Sequence, residues 1–314
     1  MRSHILIRPY QAADEAALIE LWQEVMWADP IDSLVWRSKY LLDPNFSPSE
    51  CLMAIDGERI VGFVFGISNK SGGTPSGPDA WVIGFGVHPD AQRQGIGRQL
   101  FVQLENEWRN AGVTRILIGP YVPTYVSPGV DERAYPIAIQ FLIAIGAETD
   151  SRPLSMKASL TGIRGTMGES SPETGSPIVV RKLEAEDILP LLVFLDEHFP
   201  EWRPEATNVL QDLFGSDPRQ VNMLVALEGG EVVGYAQSRN ERFGPFGVNG
   251  ALRGRGIGAK LLVATLFAMR SKGFHCAWFL WTSDRAAKLY REHGFEEVRR
   301  FALMSKTIAD QGNA

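Results

Sequence analysis

Cysteine and histidine are scarce in this chain. The two cysteines, Cys51 and Cys276, stand on separate apolar runs in different halves, which excludes a disulfide framework. Both read as buried, reduced thiols and not as nucleophiles. The five histidines, His4, His88, His198, His275 and His293, lack the spacing of a metal site and are expected in exposed or core-edge positions, so no metal is expected. No apolar run reaches transmembrane length, and Met1 to Tyr10 has no basic flank followed by a long apolar stretch; the expectation is a cytoplasmic protein with no membrane contact. An excess of basic residues is missing too. Against 37 acidic residues there are 31 Lys and Arg, a net charge of -6, which argues against nucleic-acid affinity and suits a small cationic substrate.

What is present is ample apolar material, 45% against 22% charged residues over 314 positions, enough for two cores. The chain reads as two versions of one plan. Ile5 to Arg8 is a strand and Ala13 to Val25 a helix; Val179 to Leu183 repeats the strand, with Asp187 as a cap before Ile188, Leu191, Leu192 and Leu195. Hairpin pairs follow, Cys51 to Ile55 with Ile60 to Gly66, and Met223 to Leu227 with Val232 to Gln237. A third strand, Trp81 to Val87 or Arg242 to Val248, leads in each half to a glycine phrase and a helix ending at Gly112 or Gly273. Another strand, Arg115 to Ile118 or Cys276 to Trp281, and a closing helix complete each copy. The fold class is α/β (α+β), with domains at 1–160 and 178–310 joined by a linker at 161–177 rich in Gly, Ser, Thr and Pro. The first half is longer in two places, Asn69 to Asp79, expected as a mobile hairpin loop, and Pro120 to Tyr135, expected near the end of the fifth strand.

The glycine phrases are Gln92-Arg93-Gln94-Gly95-Ile96-Gly97 and Arg253-Gly254-Arg255-Gly256-Ile257-Gly258. Glycines let consecutive N–H groups face one concavity, and a helix start adds partial positive charge there, an arrangement that favours phosphate. Gly254-x-Gly256-x-x-Ala259 satisfies the dinucleotide fingerprint formally, but it follows several antiparallel strands, and the first half lacks the string. Neither copy has the Gly-Lys-Ser/Thr of a P-loop. Glycines that merely close a turn do not account for the same Gly-Ile-Gly at the same distance from Gly-Val twice.

With their flanks, Val87 to Gly97 and Val248 to Gly258, these phrases resemble the Gln/Arg-x-x-Gly-x-Gly/Ala signature of the GNAT superfamily of N-acetyltransferases. Ala286-x-x-Leu289-Tyr290-x-x-x-Gly294-Phe295 is similar to that family's closing helix. The resemblance covers nearly all of both halves and implies two tandem GNAT-like domains, each a mixed, mostly antiparallel sheet flanked by helices. It implies acetyl-CoA (coenzyme A) as cofactor, held with its pantetheine arm along Phe85, Gly86 and Val87 or Phe246, Gly247 and Val248. Its pyrophosphate would lie on Gln92, Arg93, Gln94, Gly95, Ile96, Gly97 and Arg98, or on Arg253, Gly254, Arg255, Gly256, Ile257, Gly258 and Ala259. The arginines read equally as solvated helix-start side chains.

The resemblance also implies transfer of an acetyl or short acyl group to a primary amine of a small molecule or peptide. Tyr290 stands at the position of the family's thiolate-protonating tyrosine, and its first-half counterpart is Leu142. Glu241 stands where some members keep a base, and its counterpart is Ala80. Both favour chemistry in the second half, although a Glu in Asn240-Glu241-Arg242 is more often a solvated strand-end charge. Ser283 and Pro245 depart from the family pattern. The first half keeps an alternative, with Tyr121, Tyr125 or Tyr135 supplying a phenol, and Trp27, Trp36, Tyr40 and Asp29 to Asp32 on the acceptor side. A further alternative is an acyl-CoA-binding protein that catalyses nothing.

Overall fold

The computed structural model describes residues 5–71, 74–121, 126–162, 178–215 and 217–308. In the first half, strand β1 (Leu6–Pro9) leads through a 3-10 turn into α1 (Glu15–Val25), whose Leu18, Ile19, Leu21 and Trp22 are buried at helical spacing. The short α2 (Ser33–Trp36) is capped by Asp32, which accepts from Val35 N–H at 2.7 Å. Next come β2 (Cys51–Asp56), β3 (Arg59–Ser71), β4 (Thr74–Val87), α3 (Ile96–Asn110), β5 (Arg115–Ile118), β6 (Val130–Asp131), α4 (Pro136–Ala144), β7 (Glu148–Ser151) and β8 (Leu154–Ser159). The second half runs β9 (Ile178–Lys182), α5 (Ile188–His198), α6 (Arg203–Phe214), β10 (Val221–Glu228), β11 (Glu231–Arg239), β12 (Arg242–Val248), α7 (Ile257–Ser271), β13 (Cys276–Thr282), α8 (Asp284–Glu292) and β14 (Glu296–Thr307).

The internal repeat extends to side-chain detail. Arg8 on β1 forks onto Asp14 at 2.7 and 2.7 Å, and Arg181 on β9 forks onto Asp187 at 2.5 and 2.9 Å. Each aspartate also accepts from the N–H three residues before it, Gln11 or Glu184. Asp187 therefore stands at the start of α5 as expected, but its carboxylate turns back to the strand and not forward into the helix.

The compact units are not the two halves of the sequence. One comprises Met1–Pro153 with Arg299–Ala314, and the other Leu154–Val298. In the first unit the sheet order is β1-β2-β3-β4-β5-β14, with Met304 of β14 antiparallel to Ile118 of β5; β14 also pairs with β6 and β7. In the second it is β9-β10-β11-β12-β13-β8, with Cys276 opposite Ser159 and Phe279 opposite Met156. The boundaries expected at 160 and 178 thus each assign one closing strand to the other unit. A backbone ladder carries no sequence label, so contiguity alone could not say which strand closes which sheet. Of the expected linker, residues 163–177 lie outside those described, as does His4.

Each sheet is mostly antiparallel with one parallel pair. In the first unit α3 buries Ile96, Leu100, Leu104 and Trp108 against Leu52, Ala54, Val64 and Val82 on one face. On the other face Trp22 stacks on Phe63 at 5.2 Å, with Trp36, Tyr40 and Phe65 completing an aromatic core. In the second unit α7 lies over Leu224, Ala226 and Ala236, while α5 and α6 bury Leu191, Leu195 and Val209 against Val225 and Tyr235. The stretch Asn69 to Asp79, expected as a loop, extends the β3–β4 hairpin out to Ser71 opposite Thr74, because its backbone finds ladder partners. Residues 72–73 lie outside those described.

Candidate active site

Two glycine-rich turns have the same backbone. Gly95 and Gly256, at φ +84° and +75°, precede α3 and α7 in the left-handed region that glycine enters freely. Two residues earlier Gly254 has φ +85°, and its counterpart Arg93 has φ +63°. The first loop thus holds a non-glycine residue where strain of roughly 1–2 kcal/mol is expected. Each loop is entered through a side chain that accepts an N–H two residues on: His88 Nδ1 from Asp90 at 3.2 Å, and Asn249 Oδ1 from Ala251 at 2.9 Å. His88 is accordingly buried at the strand end. Gln92 donates to Val87 O at 3.0 Å, Gln94 to Asp90 O at 3.3 Å and Arg98 to Ala144 O at 3.3 Å. Arg255 is paired bidentately with Glu228 at 2.6 and 3.1 Å, so that arginine is engaged within the protein.

The strands before these turns part from their parallel neighbours. Asp79 to Val82 of β4 match Arg115 to Ile118 of β5, after which β5 ends while Ile83 to Val87 continue along β3. The register shifts between Phe65 and Gly66 opposite this point, a bulge that turns β4 where its neighbour leaves it. In the second unit β12 and β13 match only at Arg242 and Trp278, and the register against β11 shifts opposite Gln237. Pro245 thus stands where the ladder breaks: Gly244 and Pro245, joined by a cis peptide, have no register partner on β11, although β12 runs on from Arg242 to Val248. Beyond each point, Phe85-Gly86-Val87 and Phe246-Gly247-Val248 carry backbone past the last partner on the parallel strand. Gly86 and Gly247 admit helix side chains onto the sheet: a Cβ at Gly86 would run into Val25, and one at Gly247 would meet Phe199 at 2.6 Å.

In the first unit the gap opens into a cleft. Val82, Ile83, Gly84 and Phe85 line one side, Ile118 and Gly119 the other, and Val25, Met26, Asp29, Ser127, Gly129, Val130, Tyr135 and Ala138 complete it. Two polar side chains stand out in this apolar wall. Tyr135 Oη accepts from Ala28 N–H at 2.9 Å, and burial, reinforced by the nearby Asp29, pushes its phenol above the ordinary range. The Asp29 side chain is 3% exposed and receives both terminal nitrogens of Arg299 at 2.8 Å. Arg299 Nε donates to Asp131 Oδ2 at 2.5 Å, and Asp131 Oδ1 accepts from Arg133 and Ala134 N–H at 2.8 and 2.9 Å. Burial alone would raise Asp131, but these donors outweigh it and hold the carboxyl below its usual range. Trp27, 63% exposed, meets the Tyr135 ring edge to face at 6.2 Å.

The other acceptor-side candidates separate. Trp36 and Tyr40 belong to the aromatic core, and Asp32 is spent as a helix cap. Tyr121 is pinned away from the cleft, donating to Asp43 at 3.1 Å and accepting from Asn45 at 2.8 Å; burial pushes its phenol up to about 12. Tyr125 lies outside the described residues. Nothing local in the sequence marks Arg299 or its pairing with Asp29, because the two are joined only by the sheet order.

In the second unit Tyr290 projects from α8 into an aromatic group, 4.4 Å from Phe279 on β13 and 6.0 Å from Phe246 on β12. It stands between the parting strands, 7% exposed, and burial raises its phenol well above the ordinary range. Ser283 caps this helix, accepting from Ala286 N–H at 3.3 Å. Leu142, the counterpart on α4, is part of the core. Glu241 lies at the joined end of β12 and β13. Its Oε2 accepts from the Cys276 thiol at 2.9 Å, and its Oε1 from His275 and Cys276 N–H at 3.3 and 3.2 Å. The thiol's hydrogen bond leads these contacts in lowering the carboxyl's pKa. Both cysteines are free, and burial raises both thiols. Among the described residues no group of three or more His, Cys, Asp and Glu is placed to hold a metal, and no helix is long and apolar enough to cross a membrane.

Comparison with known proteins gives one family twice. Residues 16–124 match the model described as acetyltransferase (GNAT) family, and residues 219–297 the model described as acetyltransferase (GNAT) domain. No curated protein matches significantly. Among solved structures, the glucosamine N-acetyltransferase region of a fungal multi-domain β-N-acetylglucosaminidase superposes with TM-score 0.75 at 17% identity, over 97% of this chain and 38% of that one. The chain thus spans well under half the length of that relative. A tandem GNAT protein from the clavulanic acid pathway gives 0.63 at 19% identity over 98% and 100% of the two chains. A GCN5-related N-acetyltransferase from Sphaerobacter thermophilus gives 0.66 at 19% over 96% and 95%. At these identities the likeness is one of fold.

Proposed function

The chain belongs to the GNAT acetyltransferase family, with one such domain in each half, and on that premise we propose that it transfers an acetyl or short acyl group from coenzyme A to a primary amine. Coenzyme A supplies the activated thioester. The parting of β4 from β5 supports a pantetheine arm along Phe85 to Val87, and the left-handed turn from Arg93 to Gly95 supports a pyrophosphate on the N–H groups that open α3. Phe246 to Val248 and Arg253 to Ala259 are the equivalent seat in the second unit.

One observation favours the first unit as the place of chemistry: its strand gap opens into an apolar cleft that carries a carboxylate and a protonated phenol. Asp29 attracts an ammonium, which must shed a proton before its nitrogen can attack. The N–C bond then forms as the C–S bond breaks, and Tyr135, held protonated by burial, gives its Oη proton to the departing thiolate. Solvent takes the ammonium's first proton and the second that the nitrogen loses as the amide forms, and returns one to Tyr135. The second reading keeps Tyr290 as the acid, supported by its place between β12 and β13; Glu241 would then serve as base only after giving up its Cys276 contacts.

Gly95→Glu and Gly256→Glu separate these readings. Each puts a negative charge and a left-handed non-glycine residue into one phosphate seat, and neither Cβ meets a close neighbour. Free coenzyme A release is measured with a panel of amines that includes glucosamine, the substrate named for the fungal relative. Loss of turnover in Gly95→Glu with activity kept in Gly256→Glu is expected, and the reverse moves the chemistry to Tyr290. Calorimetric binding of acetyl-CoA without turnover on any amine makes the protein a binder.

A further inference from the structure

We infer that Arg299 is the positioning residue of the first unit's cleft, setting Asp29 as the seat of the acceptor's ammonium group and fixing the segment that carries Tyr135. The inference rests on the placement of the chemistry in that unit. Arg299 enters on β14 and spans two walls that no other described ion pair joins: Asp29, just after α1, and Asp131 on β6, four residues before Tyr135. A fourth donor contact reaches Ala28 O at 3.3 Å, and Ala28 N–H in turn donates to Tyr135 Oη. The guanidinium also lies over the Phe301 ring, 4.8 Å from its centre.

The charge balance indicates the substrate class. Two buried carboxylates share one guanidinium, so the cluster keeps one net negative charge, and Asp29 is the member that lines the cleft. A cationic group is what such a site lacks. Trp27 adds an exposed indole beside Tyr135, a face suited to the alkyl or ring portion next to an ammonium. The acceptor is therefore a primary amine protonated in solution, carrying apolar surface beside the nitrogen; an acceptor bearing a carboxylate at that point is disfavoured.

Lysine does not reproduce Arg299, because its single ammonium nitrogen lacks the planar fork that places two nitrogens on Asp29 and a third on Asp131. Steady-state kinetics on the full chain test the idea, with an active amine and acetyl-CoA varied separately. Asp29→Asn is expected to raise the amine KM at least 10-fold with the acetyl-CoA KM unchanged. Arg299→Gln is expected to lower kcat at least 10-fold, with Arg299→Lys intermediate. Melting temperatures identify a misfolded variant, and Arg299→Gln combined with Asp131→Asn removes the opposite charges together, keeping the test open if the single change fails to fold. Wild-type kcat and amine KM in folded Arg299→Gln overturn the inference, as does an equal loss in acetyl-CoA affinity. If instead Gly95→Glu keeps full turnover, the placement of the chemistry has failed and not the role of Arg299 within the cleft.

Discussion

Tyr135 and Tyr290 show how far a single residue can be judged from its neighbours in sequence. Tyr290 is found by its spacing to Gly294-Phe295, whereas Tyr135 ends a loop with no motif and becomes a candidate through its contacts with Ala28 and Asp29. Arg299 has no local signal at all. If Tyr135 is the acid, Tyr135→Phe lowers kcat by about 100-fold, the usual scale for one general acid. Its pH profile is equally specific. A phenol raised above its ordinary value of about 10 keeps its proton through neutral and mildly alkaline pH. Wild-type kcat/KM for the amine should therefore rise with pH as the amine deprotonates, without a falling limb below about pH 10. A falling limb near pH 8 that persists unchanged in Tyr135→Phe would assign the acid to another group.

At the scale of elements the repeated turns carried most of the information. Gly-Val, a short link, Gly-Ile-Gly and then Ile257, Leu261 and Leu266, or Ile96, Leu100 and Leu104, specify strand, left-handed turn and amphipathic helix from local chemistry. The parting of the parallel strands was not legible in this way, since it depends on where β5 ends beside β4. It also depends on glycines whose purpose lies across the sheet. Gly84 faces the Trp22 indole so closely that a Cβ has no room. Gly84→Ala should destabilise by roughly 1–3 kcal/mol, the range for overpacking, and lower the melting temperature measurably. Gly112→Ala is a useful contrast. No neighbour lies within 4 Å there, so its cost comes from the +82° φ alone. Equal melting temperatures for wild type and Gly84→Ala would show that Trp22 can move aside.

For the whole molecule, the exchange of closing strands has a direct consequence. β14 lies beside β5, and β8 beside β13, so neither half of the sequence holds all the strands of one sheet. Separate fragments 1–162 and 178–314 would each expose an unpaired edge and a buried apolar face, and are expected to aggregate when expressed alone. Expressed together, they should co-purify and recover acetyl-CoA binding. Two fragments that fold independently would show that contiguous domains suffice.

The amino-acid sequence by itself determined the duplication, the run of strands and helices common to the two copies, the two left-handed glycine turns and the resemblance to acetyltransferases, because each depends on periodicity, glycine conformation and spacing over a few residues; the helix α6 and the closing strands β8 and β14 were not among them. Only the tertiary structure decided which strand closes each sheet and which phenol faces a cleft. It alone brought Arg299 to Asp29 and Asp131. The physical reason is that backbone pairing and long-range ion pairing are indifferent to separation along the chain, and form wherever packing brings partners together out of water.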